Sequence, residues 1–216
     1  MGGHSSSDYA WRGSLVSKRW SASGTLFTLL VILWADVAPP ANAETAPIPA
    51  GIQLRLFSKI WLFDRSVAEN DQIVMAVLYQ STFRASAEAK DQLLEAVRAE
   101  GLNIRCVPVA LDDVDQIANE LQHVKADVFY VTEMRGINIL DVVRVSRARR
   151  IKTITVATGY VEAGVAIGLR VRNDKPMIVV NLSAAKAEGS DLTAQLLRAS
   201  TIIAEPSGQR EGSLRP

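Results

Sequence analysis

Gln72-Ile-Val-Met-Ala-Val-Leu-Tyr79 is a nearly continuous apolar run, the pattern of a strand covered on both faces. Two shorter runs repeat it downstream, Asp127-Val-Phe-Tyr-Val-Thr132 and the segment 152–157. Between them lies a further strand over 103–109, and helical spacing fills the gaps. Ser86 reads as the N-cap of a helix carrying Leu93, Leu94 and Val97, which Gly101 closes. Asp112 reads as the cap of a helix with Val114, Ile117, Ala118 and Leu121 on one stripe. Residues 136–150 read as a third helix, with Ile137, Leu140 and Val143 turned inward. Strand and helix alternate, so the fold class is α/β, a three-layer α/β/α arrangement with a mostly parallel sheet.

Outward from this centre the pattern changes. Upstream, residues 53–64 place Leu56, Phe57, Ile60, Trp61 and Phe63 at helical spacing. Downstream, residues 165–171 and 175–181 are two strands around Arg172-Asn-Asp174, a turn-forming stretch. They read as a C-terminal antiparallel hairpin at the edge of the sheet, and homodimerisation through that edge follows as an expectation. Asn181 then caps a helix over 182–188, stopped by Gly189, and a last short helix covers 192–198.

The N-terminus reads as an address. Residues 1–24 are rich in Ser and Gly, with Arg12, Lys18 and Arg19 as cations. The apolar run Thr25-Leu-Phe-Thr-Leu-Leu-Val-Ile-Leu-Trp34 follows, then Ala41-Asn-Ala43, a small-x-small cleavage pattern. The expectation is a signal peptide over 1–43, cleaved after Ala43, and a periplasmic mature protein. The apolar run is about half of the roughly 20 residues that a membrane-spanning helix needs, which argues against a retained anchor. No cysteine follows it closely, so a lipoprotein route is closed. The basic head is long, and Val16, read from a non-ATG codon, is an alternative start to Met1. Residues 44–50 read as a lead-in, 51–204 as the domain and 205–216 as a disordered tail.

The 216-residue chain is 48% hydrophobic with a formal net charge of +1, and the part after Ala43 is balanced. Balance gives no electrostatic case for nucleic acid. Cys106 is the one cysteine, which excludes an intrachain disulfide and a thiolate metal cage.

Catalysis needs a nucleophile with a base, or a metal, and the candidates are weak. After Ala43 the remaining histidine is His123, at a helix end, where a cation complements the dipole. Asp112, Asp113 and Asp115 lack the Gly and closing Glu of a calcium loop. Gly159, Gly164 and Gly168 do not have the dinucleotide spacing. The chain therefore reads as no enzyme, with no metal and no cofactor. Two other groups carry the binding expectations. Loops at the carboxyl ends of parallel strands form a crevice, and here they hold Gln80, Ser81, Thr82, Thr132, Glu133, Arg135, Thr158 and Tyr160, suited to a small polar ligand. Arg144, Arg147, Arg149 and Arg150 cluster on one helix. They read as a solvated helix end or as a basic patch for an acidic partner domain or anionic lipid headgroups.

The last third carries more than a fold pattern. Ile154-Thr-Val-Ala-Thr158, Gly164-Val-Ala-Ile-Gly168, Ile178-Val-Val-Asn-Leu-Ser-Ala-Ala-Lys-Ala-Glu-Gly189 and Leu192-Thr-Ala-Gln-Leu-Leu-Arg198 follow one another. This order resembles the YfiR/HmsC-like family, whose members end in a Leu-Thr-Val-Ser-Asp strand, a glycine-led hairpin and an Asn-Leu-x-Ala-Ala helix. The resemblance extends over residues 125–203. It implies an exported bacterial α/β protein that binds the extracytoplasmic domain of a membrane-embedded diguanylate cyclase and holds it inactive. A solute-binding module feeding a transporter or receptor is the alternative. Two departures stand out: Ala157-Thr158 replaces the family's Ser-Asp, and Cys106 stands alone where characterised members carry disulfides.

Overall fold

The computed structural model describes residues 47–67, 72–113 and 115–203. The signal-peptide and tail expectations, over 1–43 and 205–216, and Val114 lie outside the described residues. The chain forms α1 (Ala50–Leu62), β1 (Ile73–Tyr79), α2 (Arg84–Glu100), β2 (Ile104–Ala110), α3 (Ile117–Gln122), β3 (Val128–Val131) and α4 (Ile139–Arg149). It continues through β4 (Lys152–Thr155), β5 (Ile167–Arg172), β6 (Lys175–Asn181), α5 (Leu182–Ala187), α6 (Ala194–Ala199) and β7 (Thr201–Ile203). All seven strands share one sheet in the order β2-β1-β3-β4-β5-β6-β7. Only the β5–β6 pairing is antiparallel.

The apolar runs are continuous because each strand feeds two cores. On β1, Met75 and Val77 face one layer while Ala76 and Leu78 face the other. On β3, Val128 and Tyr130 are likewise divided from Phe129 and Val131. The first layer packs α1, α2, α5 and α6 around Phe57, Trp61 and Tyr130. Phe57 meets Tyr130 edge-on at a centroid distance of 6.1 Å, and the Tyr130 hydroxyl donates to Gln53 Oε1 at 2.6 Å. The second layer packs α3 and α4 through Leu121, Val142 and Val143. The three-layer α/β/α expectation therefore holds.

Turn chemistry sets the connections. Gly101 closes α2 in the left-handed region, and Asn181 caps α5 by accepting from the Ala184 N–H. Asn173 and Asp174 both have positive φ, which gives the tight hairpin between β5 and β6. Gly168 is required by close approach: a Cβ there would lie 2.5 Å from Val161 Cγ2.

Several local expectations are corrected. Ser86 is no N-cap; α2 starts at Arg84, and Ser86 is fully buried inside it. Asp112 does not cap α3, because its carboxylate turns instead to the loop after β1. Leu140 is half exposed rather than inward: α4 starts at Ile139 under the Asn138 cap and buries Ile139, Val142, Val143 and Ser146 at i, i+3, i+4 and i+7, which leaves Leu140 beside that stripe. The hairpin is not at the edge either. β7, unnoticed in the sequence because it is three residues long, pairs with β6 and takes the edge position.

Candidate functional site

The strand order places a switch point between β1 and β3. From β1 the chain crosses to β2 on one side, then returns past β1 to β3 on the other. Helices α2 and α4, which follow β1 and β3, pack on opposite faces of the sheet, so the loops after these two strands diverge at their carboxyl ends, where open α/β sheets bind ligands.

The register decides which side chains meet there. Tyr79 lies beside Ala110, so the next residues, Gln80 and Ser81, come alongside Leu111 and Asp112. Ser81 donates to Asp112 from its backbone N–H at 2.7 Å and from its hydroxyl at 2.6 Å, and the Thr82 N–H adds a third bond at 3.3 Å. The Ser81 hydroxyl is the main reason that the Asp112 carboxyl is held below its ordinary value. Below this rim, Thr132 donates to the Leu78 carbonyl at 2.9 Å, and Ser86 Oγ lies 2.6 Å from Thr132 Oγ1. Since Thr132 gives its one proton to Leu78, Ser86 donates to Thr132 and accepts from the Gln80 N–H at 2.9 Å.

Two further ties join the loops. Gln80 Oε1 accepts from the Arg135 N–H at 2.8 Å, and the Arg135 guanidinium lies 4.4 Å from the Phe83 ring centroid. Tyr160 Oη accepts from the Met134 N–H at 3.0 Å and donates to the Met134 carbonyl at 3.2 Å. Burial pushes the Tyr160 hydroxyl up from its ordinary value.

The structure thus divides the crevice residues into two sets. Ser81, Thr82, Glu133, Arg135 and Thr158 are exposed on the rim. Thr132 is buried, and Tyr160 is half-buried and engaged with the neighbouring loop. The sequence reading missed Ser86, Phe83 and Asp112 as site residues. Their signal lies in the parallel register, which spacing along the chain does not reveal.

The four arginines are also separated. Arg144 is exposed and pairs with Asp141 at 2.7 Å, whereas Arg149 donates to the Leu121 carbonyl at 2.5 Å and ties α4 to α3. Arg147 is half-buried, with Nη2 3.2 Å from where a Cβ on Gly164 would stand. Arg150, exposed, ends α4 in a left-handed conformation, and its aliphatic stem lies along Gly189.

His123 sits at the C-cap of α3. Cys106 is half-buried on β2, where burial pushes its thiol up to about 11, so it stays protonated and unreactive at neutral pH. Among the described residues no group of three His, Cys, Asp or Glu side chains converges as metal ligands, and no helix is long and apolar enough to cross a membrane.

Solved structures share the fold. A ligand-free, open substrate-binding protein with adhesive properties from Clostridium difficile has a TM-score of 0.55 and 16% identity, over 71% of this chain and 59% of that one. A conserved domain protein from Vibrio cholerae gives 0.55 and 15%, over 73% and 60%. An ABC domain in complex with L-Trp from Streptococcus pneumonia gives 0.55 and 17%, over 72% and 62%. The chain spans about 60% of the length of these proteins, and at such identities the likeness is one of fold. No curated protein sequence matches the chain. A family model does match, over residues 63–201, which is more than half of the chain, and on that match the protein belongs to the YfiR/HmsC-like family.

Proposed function

We propose that this protein is exported, loses its leader after Ala43, and regulates a membrane signalling protein of the diguanylate cyclase type by binding its extracytoplasmic domain. The observation that carries this reading is the family match over residues 63–201. Membership supports a periplasmic regulatory protein rather than an enzyme. The geometry is consistent with a binding role. Most polar groups of the crevice are engaged with one another, while Glu133, Arg135 and the half-exposed Leu140 stay at the surface near the carboxyl ends of the strands.

Arg144 on α4, which pairs with Asp141, and Arg150 at the C-cap of α4 have exposed guanidinium groups suited to an acidic patch on the partner. Arg147 and Arg149 act mainly within the protein. Reversing both exposed charges, Arg144→Glu with Arg150→Glu, is expected to weaken partner binding by about tenfold or more while leaving the fold intact.

The fold likeness to a substrate-binding protein and to a domain in complex with L-Trp favours a second reading, a solute-binding module whose rim residues Ser81, Thr82, Arg135 and Thr158 contact a small polar ligand. Capture from detergent-solubilised membranes with tagged protein, read by mass spectrometry, separates the two. The first reading expects a cyclase or kinase with an extracytoplasmic domain, lost in the charge-reversed variant. Recovery of permease or receptor components instead would replace it with the second. The homodimer expectation moves with the sheet edge to β7, and a monomeric mass by light scattering would remove it.

A further inference from the structure

Glu188 is a fully buried acid in a chain whose carboxylates otherwise lie mostly at the surface. It ends α5 and reaches the start of β4 and the inner side of α4, at the opposite end of the sheet from the crevice. Its Oε2 accepts from the Thr153 N–H at 2.8 Å. Its Oε1 lies 2.6 Å from Thr153 Oγ1 and 3.0 Å from Ser146 Oγ. The Thr153 hydroxyl in turn accepts from the Ala166 N–H at 2.8 Å, so the approach to β5 joins the same cluster.

The cluster can hold the acid in either protonation state. Ser146 Oγ has one proton and two acceptors within reach, the Val143 carbonyl at 2.9 Å and Glu188 Oε1. An ionised Glu188 draws that proton, and the Val143 carbonyl keeps its backbone partner within α4. A neutral Glu188 donates from Oε1 to Ser146 Oγ, which then donates to Val143, while Thr153 still bonds both carboxyl oxygens. Both hydroxyls can accept as well as donate, so the cluster accommodates the neutral acid, the form that full burial favours.

We propose that Glu188 is a buried proton-binding site: neutral, it ties α4, β4 and α5 together, and on ionisation it loosens that junction. Charged groups on the surrounding elements are Arg147 and Arg150 of α4, Lys152 of β4, Lys186 of α5, and the Glu162–Arg170 pair flanking the start of β5. Burial pushes the carboxyl up to about 7, outweighing the bonds from Thr153 and Ser146 and the charge of Arg147, all of which favour the ionised form. The folded value lies above the ordinary 4.5, so the stabilisation is complete below about pH 4.5 and is lost as pH rises through about 7.

The test is an NMR pH titration of the wild-type protein, read at the Thr153 amide that donates to Glu188. A midpoint near 7, absent in Glu188→Gln, is the expected result, together with a melting temperature that falls between about pH 5 and 8 in the wild type alone. A Thr153 midpoint near 4.5 overturns the proposal, as does a Glu188→Gln protein that melts with the wild-type pH dependence. Should the variant fail to fold, the wild-type titration decides by itself.

Discussion

Each end of the sheet has a carboxylate with three donors around it, and the two behave in opposite ways. At the carboxyl ends of the strands, Asp112 receives two N–H groups and a hydroxyl from Ser81 and Thr82, lies exposed, and is held below its ordinary value. At the opposite end Glu188 also receives one N–H and faces two hydroxyls, yet burial drives it up to about 7. The donor sets are nearly alike, so solvent access decides. The same bonds that cost little to break at the rim therefore become a structural requirement at the base.

The largest effect is expected at the buried end. Glu188→Ala removes the partner of the Thr153 N–H and of the Thr153 and Ser146 hydroxyls and opens a cavity, at a cost of about 3–5 kcal/mol in chemical denaturation. A loss below about 1 kcal/mol would break the contrast. Asp64, also buried, tests it on a second cluster: it accepts from the Ser66 N–H and hydroxyl and from the Asp191 N–H, clasping the end of α1 to the loop after α5. Asp64→Ala is expected to lose about 2–3 kcal/mol by the same measurement.

Just beneath the rim, Ser86→Ala removes a buried hydroxyl that bridges Gln80 and Thr132, and a loss of about 1–2 kcal/mol is expected. The smallest effect belongs to Asp112→Ala, within about 1 kcal/mol, because water replaces the carboxylate. Its sign with pH also opposes that of Glu188. Asp112 contributes above the ordinary carboxyl value of 3.8 and is lost as pH falls below it, so a melting profile of Asp112→Ala converges with wild type in acid.

The architecture was legible because burial on both faces of β1 and β3 leaves continuous apolar runs, and because helix stripes and turn residues mark the rest. Leu93 and Gly101, Asn181 and the Asn173-Asp174 turn all fall where the pattern puts them. Legibility ended where a residue's partner is distant in sequence. Ser86 and Asp112 both carry cap chemistry, but Ser86 turns to Thr132 on a neighbouring strand and Asp112 to Ser81 across the β1–β2 register. Glu188 gave no sign of burial, since a Glu before a helix-ending Gly is ordinary on a surface. The arginines on α4 were visible as a group, but only packing shows that Arg149 serves α3 and that Arg144 and Arg150 remain outside.

Regulation of a membrane cyclase is tested most directly by cellular cyclic-di-GMP in a strain lacking this protein. Deletion is expected to raise cyclic-di-GMP, the wild-type chain to bring it back down, and the Arg144→Glu, Arg150→Glu chain, folded and exported, to leave it high. Unchanged cyclic-di-GMP on deletion would contradict this regulation.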